Sequence, residues 1–358
     1  MARIAVVGAG KTGRGFIGRL LQEDSRDILF IDKNQKLVDA LNTKQSYTIR
    51  FFGASRDPAV VDRYTARTWD TVDLAGVDLI FVAVCSPNLA DVGRQLGQRL
   101  DTHRTCRIIT CENAVRPAQI LAEAIGLPQV FVSEAAVFCT TVEGGKEDGE
   151  LDIVSENYPD LPCNAAQLAG YRPNIRGVTP MDHFAGFLTR KLFTYNAASC
   201  VIAYLGWLRG YDQYGDAAND PEILALLDRN YAATNRALCA EFDYDPEEQA
   251  AFAALSRAKF RDRTIADTIA RNAREPQRKL GRNERIIGPL LLIAKHHGDV
   301  SVLVMTAAAM LLYDAAGETE WQRIKQEKTR GQILTDLCGL TPGDELYQAI
   351  LDKANELG

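Results

Sequence analysis

Six residues near the amino terminus restrict the fold more than any other part of the chain. Gly8-Ala9-Gly10-Lys11-Thr12-Gly13 follows the β-branched run Arg3-Ile4-Ala5-Val6-Val7 and leads into a helical pattern over Gly15 to Gln22. A G-x-G-x-x-G turn in that setting receives a dinucleotide pyrophosphate. Gly8 permits the tight turn, Gly10 lets the backbone approach the phosphates, and Gly13 allows the helix to pack closely on the strand. Lys11 and Thr12 stand where the helix opens, with its unpaired amides and positive dipole end facing the phosphates. The second strand, Leu29-Phe30-Ile31, closes on Asp32, 24 residues after Gly8. A carboxylate there accepts hydrogen bonds from the ribose hydroxyls and repels a 2'-phosphate, which favours NAD over NADP. Lys11, Arg14 and Lys33 are the residues that could soften this selectivity. A flavin would call for further adenylate-site sequence, which we do not find.

The pattern around this turn repeats. Strand signals at Asp27 to Ile31, Asp78 to Val84, Arg107 to Thr110 and Gln129 to Val132 alternate with helical ones at Gln35 to Leu41, Leu89 to Leu100 and Pro117 to Ile125. This alternation predicts a parallel sheet with crossover helices. Tyr47 to Val60 reads as a hairpin or extra strand pair, and Glu143 to Pro180, with Gly144-Gly145 and several prolines, as irregular or edge-strand structure. From Asp182 onward long amphipathic patterns take over: Phe184 to Leu208, Pro221 to Phe242, Pro246 to Phe260, Asn283 to His296 and Val300 to Tyr313. The expected fold is therefore an α/β Rossmann dinucleotide-binding domain over 1–181, followed by a mainly α-helical substrate and catalytic domain over 182–358. A chain of 358 residues is long enough for two such cores.

Composition removes several function classes. A net charge of −6 offers no broad attraction to nucleic acid or anionic lipid. No run approaches the roughly 18 apolar residues of a membrane span, and the start of the chain has no signal-peptide pattern. The eight cysteines lack a CxxC pair, and the four histidines show no metal-ligand spacing, with His296 and His297 simply adjacent. These features lead us to expect a cytoplasmic protein, a monomer or homodimer, with reduced thiols, no bound metal and a small-molecule substrate.

Several blocks carry a family resemblance. Gly8 to Gly18 (GAGKTGRGFIG), Thr110 to Arg116 (TCENAVR), Arg190 to Asn196 (RKLFTYN) with Ala203-Tyr204-Leu205-Gly206, Pro276 to Leu280 (PQRKL), and Glu284 to Pro289 (ERIIGP) occur in this order along nearly the whole chain. In these blocks the sequence resembles the mannitol dehydrogenase family of polyol-specific long-chain dehydrogenases. The resemblance implies a metal-independent oxidation of a secondary alcohol of a linear polyol or polyol phosphate to a ketose, of the mannitol 1-phosphate to fructose 6-phosphate type. It also implies a catalytic lysine, an asparagine five residues later and a histidine three beyond that. Lys191 and Asn196 match the first two, and Ser199 stands in the histidine position. The family's charged turn after the fifth strand corresponds to Ala135 to Thr140, which carries no charge.

The residue types suit the chemistry. A lysine held out of water has a depressed pKa and can take the hydroxyl proton as the hydride leaves. Asn196 can donate its amide hydrogens to the alkoxide-like oxygen. On a regular helix, Asn196 would sit roughly 140° and Ser199 roughly 80° around from Lys191, so all three would share one wide face. The bland alternative makes Lys191 a solvated helix lysine and Asn196 a surface amide. Asn113, after a strand end, is expected to face nicotinamide or substrate, with Glu112 orienting the loop, or else to be a plain turn residue. Lys259, Arg271, Arg274, Arg278 and Lys279 are candidate phosphate ligands, or a solvated basic face. Two other functions stay open: a dehydrogenase of another hydroxy compound, and a non-catalytic NAD-binding member of the family.

Overall fold

The computed structural model describes residues 3–113, 116–144 and 150–358. Ala114 and Val115 of the Thr110 to Arg116 block, and Gly145, lie outside the described residues. Contacts divide the chain into Met1–Ala185 and Gly186–Gly358, four residues later than the boundary expected at 181/182.

The first unit is built on six parallel strands: β1 (Arg3–Val7), β2 (Ile28–Ile31), β5 (Tyr64–Arg67), β6 (Val77–Val82), β7 (Cys106–Thr110) and β8 (Val130–Glu134). Their order is β5-β2-β1-β6-β7-β8. Strands β1, β2, β6 and β7 are runs of Val, Ile, Leu and Phe because helices cover both faces of the sheet. Those helices are α1 (Arg19–Glu23), α2 (Gln35–Lys44), α3 (Leu89–Gly97) and α4 (Pro117–Ile125). A wide helical turn over Gly13–Gly18 leads into α1. The strand order reverses between β1 and β6, and the crevice beyond their carboxyl ends is where such sheets bind nucleotides.

Tyr47 to Val60 does form a strand pair, β3 (Tyr47–Phe51) antiparallel to β4 (Ala59–Val61). It is not isolated. Strands β9 (Thr141–Glu143) and β10 (Ile153–Ser155) extend it into a sheet of order β4-β3-β10-β9. The stretch read as irregular or edge-strand structure thus contains paired strands, including the parallel pair β11 (Leu161–Asn164) and β12 (Val178–Met181). They are three and four residues long, too short for a periodic signal.

The second unit is helical: α5 (Phe184–Lys191), α6 (Ala197–Leu208), α7 (Tyr214–Ala217), α8 (Pro221–Phe242), α9 (Pro246–Arg261), α10 (Ile269–Asn272), α11 (Pro276–Lys279), α12 (Ile287–Lys295), α13 (Ser301–Leu312), α14 (Thr319–Glu327), α15 (Arg330–Asp336) and α16 (Glu345–Leu357). Helices α6 and α13 are apolar on every side and form the centre of its core. The starts of α8 and α9 follow from sequence. Asp220 and Asp245 accept two backbone N–H groups each, and Pro221 and Pro246 take the first helical position. Phe184 to Leu208 is helical throughout, as expected, with a wide turn over Leu192–Asn196 set between α5 and α6. No helix among the described residues is long and apolar enough to cross a membrane.

Candidate active site

The Gly8–Gly13 turn has the form its glycines imply. Gly8 has φ +91°, and its N–H donates to Ile31 O at 2.8 Å. A Cβ on Gly8 would lie 2.5 Å from Ala83 O, and one on Gly13 would lie 1.9 Å from Gly8 O. At Gly10 a Cβ would meet nothing within 4 Å, so bare backbone faces open space. Lys11 is exposed and Thr12 half-buried where the helix opens. Asp32 takes the Ala9 N–H on Oδ2 at 2.8 Å and the Asn34 N–H on Oδ1 at 2.9 Å, which pins the turn and leaves each oxygen a lone pair. This set fits a dinucleotide: a backbone cradle at a helix start for the pyrophosphate, and a carboxylate for the ribose.

Arg14 and Lys33, expected to bear on cofactor choice, are engaged within the protein. Arg14 is buried, donating to Ala9 O at 2.5 Å and to Glu143 Oε2 at 2.9 Å, and Lys33 reaches Asn88 Oδ1 at 3.2 Å.

Asn113, expected at the strand end to face nicotinamide or substrate, is exposed there and also bonded within the protein. Its Nδ2 donates to Val137 O at 2.8 Å and its Oδ1 accepts from Val137 N at 3.2 Å, so it clamps the loop after β8 to the end of β7. Glu112 accepts from Ser86 Oγ at 3.1 Å and holds the neighbouring loop. The uncharged stretch Ala135 to Thr140 is preceded by Glu134, the last residue of β8. Burial raises the pKa of its half-buried carboxyl, against a hydrogen bond with Gln167. Nothing in the sequence marks Glu134, which lies two residues beyond the strand expected over Gln129 to Val132.

In the helical unit the wide turn changes the geometry predicted for Lys191 and Asn196. The Ala197 N–H reaches Leu192 O, an i to i+5 bond, so residues five apart come nearly one turn apart instead of roughly 140° out of phase. Gly288 of α12 makes room for the turn, since a Cβ there would lie 2.7 Å from the Phe193 ring. Lys191 is 8% exposed, so it is not the solvated lysine of the alternative reading. Burial, then the charges of Lys259 and Arg285, lower its pKa from 10.5 to about 7. Asn196, half-buried, makes no side-chain hydrogen bond among the described residues, so its amide is available to a ligand. Ser199 is already engaged: Tyr214 donates to its Oγ at 3.2 Å, and it donates to Asn272 Oδ1 at 3.4 Å.

Ser199 also stands in the wall of a cavity of about 170 Å³, with Asn272 beside it and Arg271, Arg274, Arg278, Lys279 and Arg285 around it. Lys279 is buried, its pKa lowered by desolvation, and its Nζ donates to Asn272 O at 2.6 Å. Glu275, in the same wall, holds a left-handed φ of 56° and pairs with Arg278 at 2.7 Å. Four of the five residues proposed from sequence as phosphate ligands meet here. The fifth, Lys259, is not in this wall but acts on Lys191. Arg285, Asn272 and Tyr214 were missed, since nothing in their spacing marks them. Among the described residues no group of three His, Cys, Asp or Glu side chains is placed to hold a metal ion.

Comparison with known proteins shows the family of the chain. The chain is 30% identical to the mannitol-1-phosphate 5-dehydrogenase of Bacillus pumilus over 368 residues, covering 97% of this chain and 98% of that protein. It belongs to the mannitol dehydrogenase family. Residues 183–349 match the family's C-terminal domain, and 4–153 match the ketopantoate reductase PanE/ApbA family. The mannitol-1-phosphate 5-dehydrogenase of Bacillus subtilis is 28% identical over 98% of both chains. Two solved mannitol dehydrogenase-like folds align over nearly the full length. A D-sorbitol dehydrogenase in substrate-free form has a TM-score of 0.77 at 14% identity, covering 98% of this chain and 92% of that one. The mannitol 2-dehydrogenase of Pseudomonas fluorescens, in a ternary complex with NAD and D-mannitol, has 0.74 at 13%, covering 99% and 91%.

Proposed function

We propose that the protein is a cytoplasmic, NAD-dependent, metal-independent dehydrogenase that oxidises a secondary alcohol of a linear polyol phosphate to the ketose, of the mannitol 1-phosphate to fructose 6-phosphate type. The observation that carries this reading is the buried Lys191, whose amine titrates near pH 7. NAD, bound on the Gly8–Gly13 turn and Asp32, supplies the acceptor for the hydride. Lys191, neutral at Nζ, takes the hydroxyl proton as the carbon–oxygen double bond forms, and as the ammonium returns it in the reverse direction. The Asn196 amide donates to the same oxygen while it carries negative charge. The cationic cavity beside Ser199 suits a phosphate monoester: its five cations outnumber the three carboxylates paired with them, Asp267, Glu275 and Glu284, and guanidinium groups match phosphate oxygens.

The test is NADH oxidation with fructose 6-phosphate and with fructose, and NAD reduction with mannitol 1-phosphate and mannitol, each with and without EDTA. We expect turnover of the phosphorylated pair, at least about tenfold in kcat/KM over the unphosphorylated pair, insensitive to EDTA. Turnover confined to a hydroxy acid, or saturable NADH binding with no turnover of any substrate, would overturn the assignment.

A further inference from the structure

A turn bonded i to i+5 is less favourable than the α-helix on either side of it and persists only where surrounding structure holds it. The Leu192–Asn196 turn packs through Tyr195 on Phe252 and Phe260, and one buried amide bonds to it. Gln249, on the first turn of α9, is fully buried. Its Nε2 donates to Thr194 Oγ1 at 3.1 Å and to Asn235 Oδ1 at 2.8 Å, and its Oε1 accepts from Arg190 Nε at 2.6 Å. The Arg190 contact fixes the sense of the amide, because a flip would set NH2 against a guanidinium, whereas the Thr194 hydroxyl serves either sense. Arg190 is held in turn by Glu248 O at 2.9 Å and lies over the Phe252 ring at 4.5 Å. The start of α9 is itself fixed by the Asp245 cap and Pro246.

We propose that Gln249 is a positioning residue for the catalytic turn, gripping it at Arg190 and Thr194 so that Lys191 and Asn196 are held in the register their chemistry requires. Lys191 lies inside the grip and Asn196 two residues beyond it. Losing the extra residue of the wide turn would rotate one of the two side chains around the helix relative to the other. Lys191 would also move relative to the two cations that bear on it, Lys259 of α9 and Arg285 before α12. The inference rests on the catalytic role given to Lys191 and Asn196 above.

The experiment compares wild type with Gln249→Leu, Thr194→Val and the double variant. Three quantities are read: kcat for fructose 6-phosphate reduction, NADH Kd by fluorescence, and the pH midpoint of Lys191 labelling by an amine-reactive reagent, followed by peptide mass spectrometry. Gln249→Leu is expected to lower kcat at least about thirtyfold with Kd changed less than about twofold, since misplacement on the scale of 1 Å is enough. Thr194→Val should lose roughly fivefold, and the double variant should lose no more than Gln249→Leu alone. The labelling midpoint, near 7 in wild type, should rise by at least about one unit in Gln249→Leu as Lys191 regains solvent. Wild-type kcat together with an unmoved midpoint in Gln249→Leu would overturn the inference, even if Tm falls. If wild type itself turns over no polyol phosphate, the proposed function fails, while the labelling midpoint still decides the role of Gln249. If Gln249→Leu does not fold, Thr194→Val, which keeps the side-chain volume, carries the same two readouts.

Discussion

In the Gly8–Gly13 turn the groups that would meet a ligand are backbone amides, fixed by Ile31 O, by the Asp32 carboxylate and by close contact with Ala83. In the Lys191–Asn196 turn they are side-chain tips, carried on a turn that Gln249 of α9 bonds at Thr194 and in which Lys191 feels the charges of Lys259 and Arg285. The first site is therefore intolerant of an added Cβ at Gly8 and Gly13, whereas the second depends on the identity of particular side chains. A backbone site binds by shape and dipole, and a side-chain site can be tuned to hold or release a proton.

Separate failure of the two sites would sharpen this contrast. Lys191→Ala should lower kcat at least about a hundredfold and leave NADH affinity nearly intact, because proton transfer is lost and the cofactor turn is untouched. Stopped-flow turnover beside an NADH titration checks it, and parallel loss of both would erase the distinction. Gly13→Ala should do the reverse. With its Cβ 1.9 Å from Gly8 O the turn must open, and we expect NADH Kd to rise at least about tenfold while the Lys191 labelling midpoint stays near 7.

The pH dependence follows from the direction of the Lys191 shift. Below pH 7 the amine is protonated and cannot accept a proton, so kcat for polyol oxidation should rise through about pH 7 to a plateau. Ketose reduction needs the ammonium and should fall over the same range. Lys259→Met or Arg285→Met removes a cation that disfavours the charged form, and should move both limbs to higher pH by roughly half a unit. A limb that does not move in either variant would remove these cations from the account.

Asp32→Ala should reduce the preference for NADH over NADPH by roughly fivefold, the scale of one or two hydrogen bonds, as read by paired titrations. At Ser199 the expected change is a gain. Ser199→His should raise kcat/KM for fructose 6-phosphate by up to about tenfold by restoring a donor with a near-neutral pKa. An unchanged or lower value would show that the Tyr214–Ser199–Asn272 chain already does the histidine's work.

What could be read from the sequence follows the same division. The β1 turn and Asp32 were legible because their partners lie within about one βαβ unit, and the glycine spacing encodes backbone conformation directly. Lys191, Asn196 and Ser199 were legible only through resemblance, since an isolated lysine in a helical pattern carries no sign of burial. The wide turn was hidden, because Leu192 to Asn196 continues the apolar period of its neighbours and the brace comes from Gln249 and Asn235. Arg285 was hidden because its effect on Lys191 depends on how the helices pack. Asn113 was placed at the correct strand end, but its clamp on Val137 needs the loop geometry after β8.

The second sheet sets a limit on how the nucleotide site can be transplanted. A Cβ on Gly15 would lie 2.4 Å from Ile153 of β10, and the buried Arg14 answers to Glu143 of β9. A fragment ending at Glu134 would keep the parallel sheet, the glycines and Asp32, but would expose a glycine-rich helix face and leave the Arg14 guanidinium without its carboxylate. Chimaeras that borrow this nucleotide site should be joined beyond Ser155, so that β9 and β10 travel with the helix they shield.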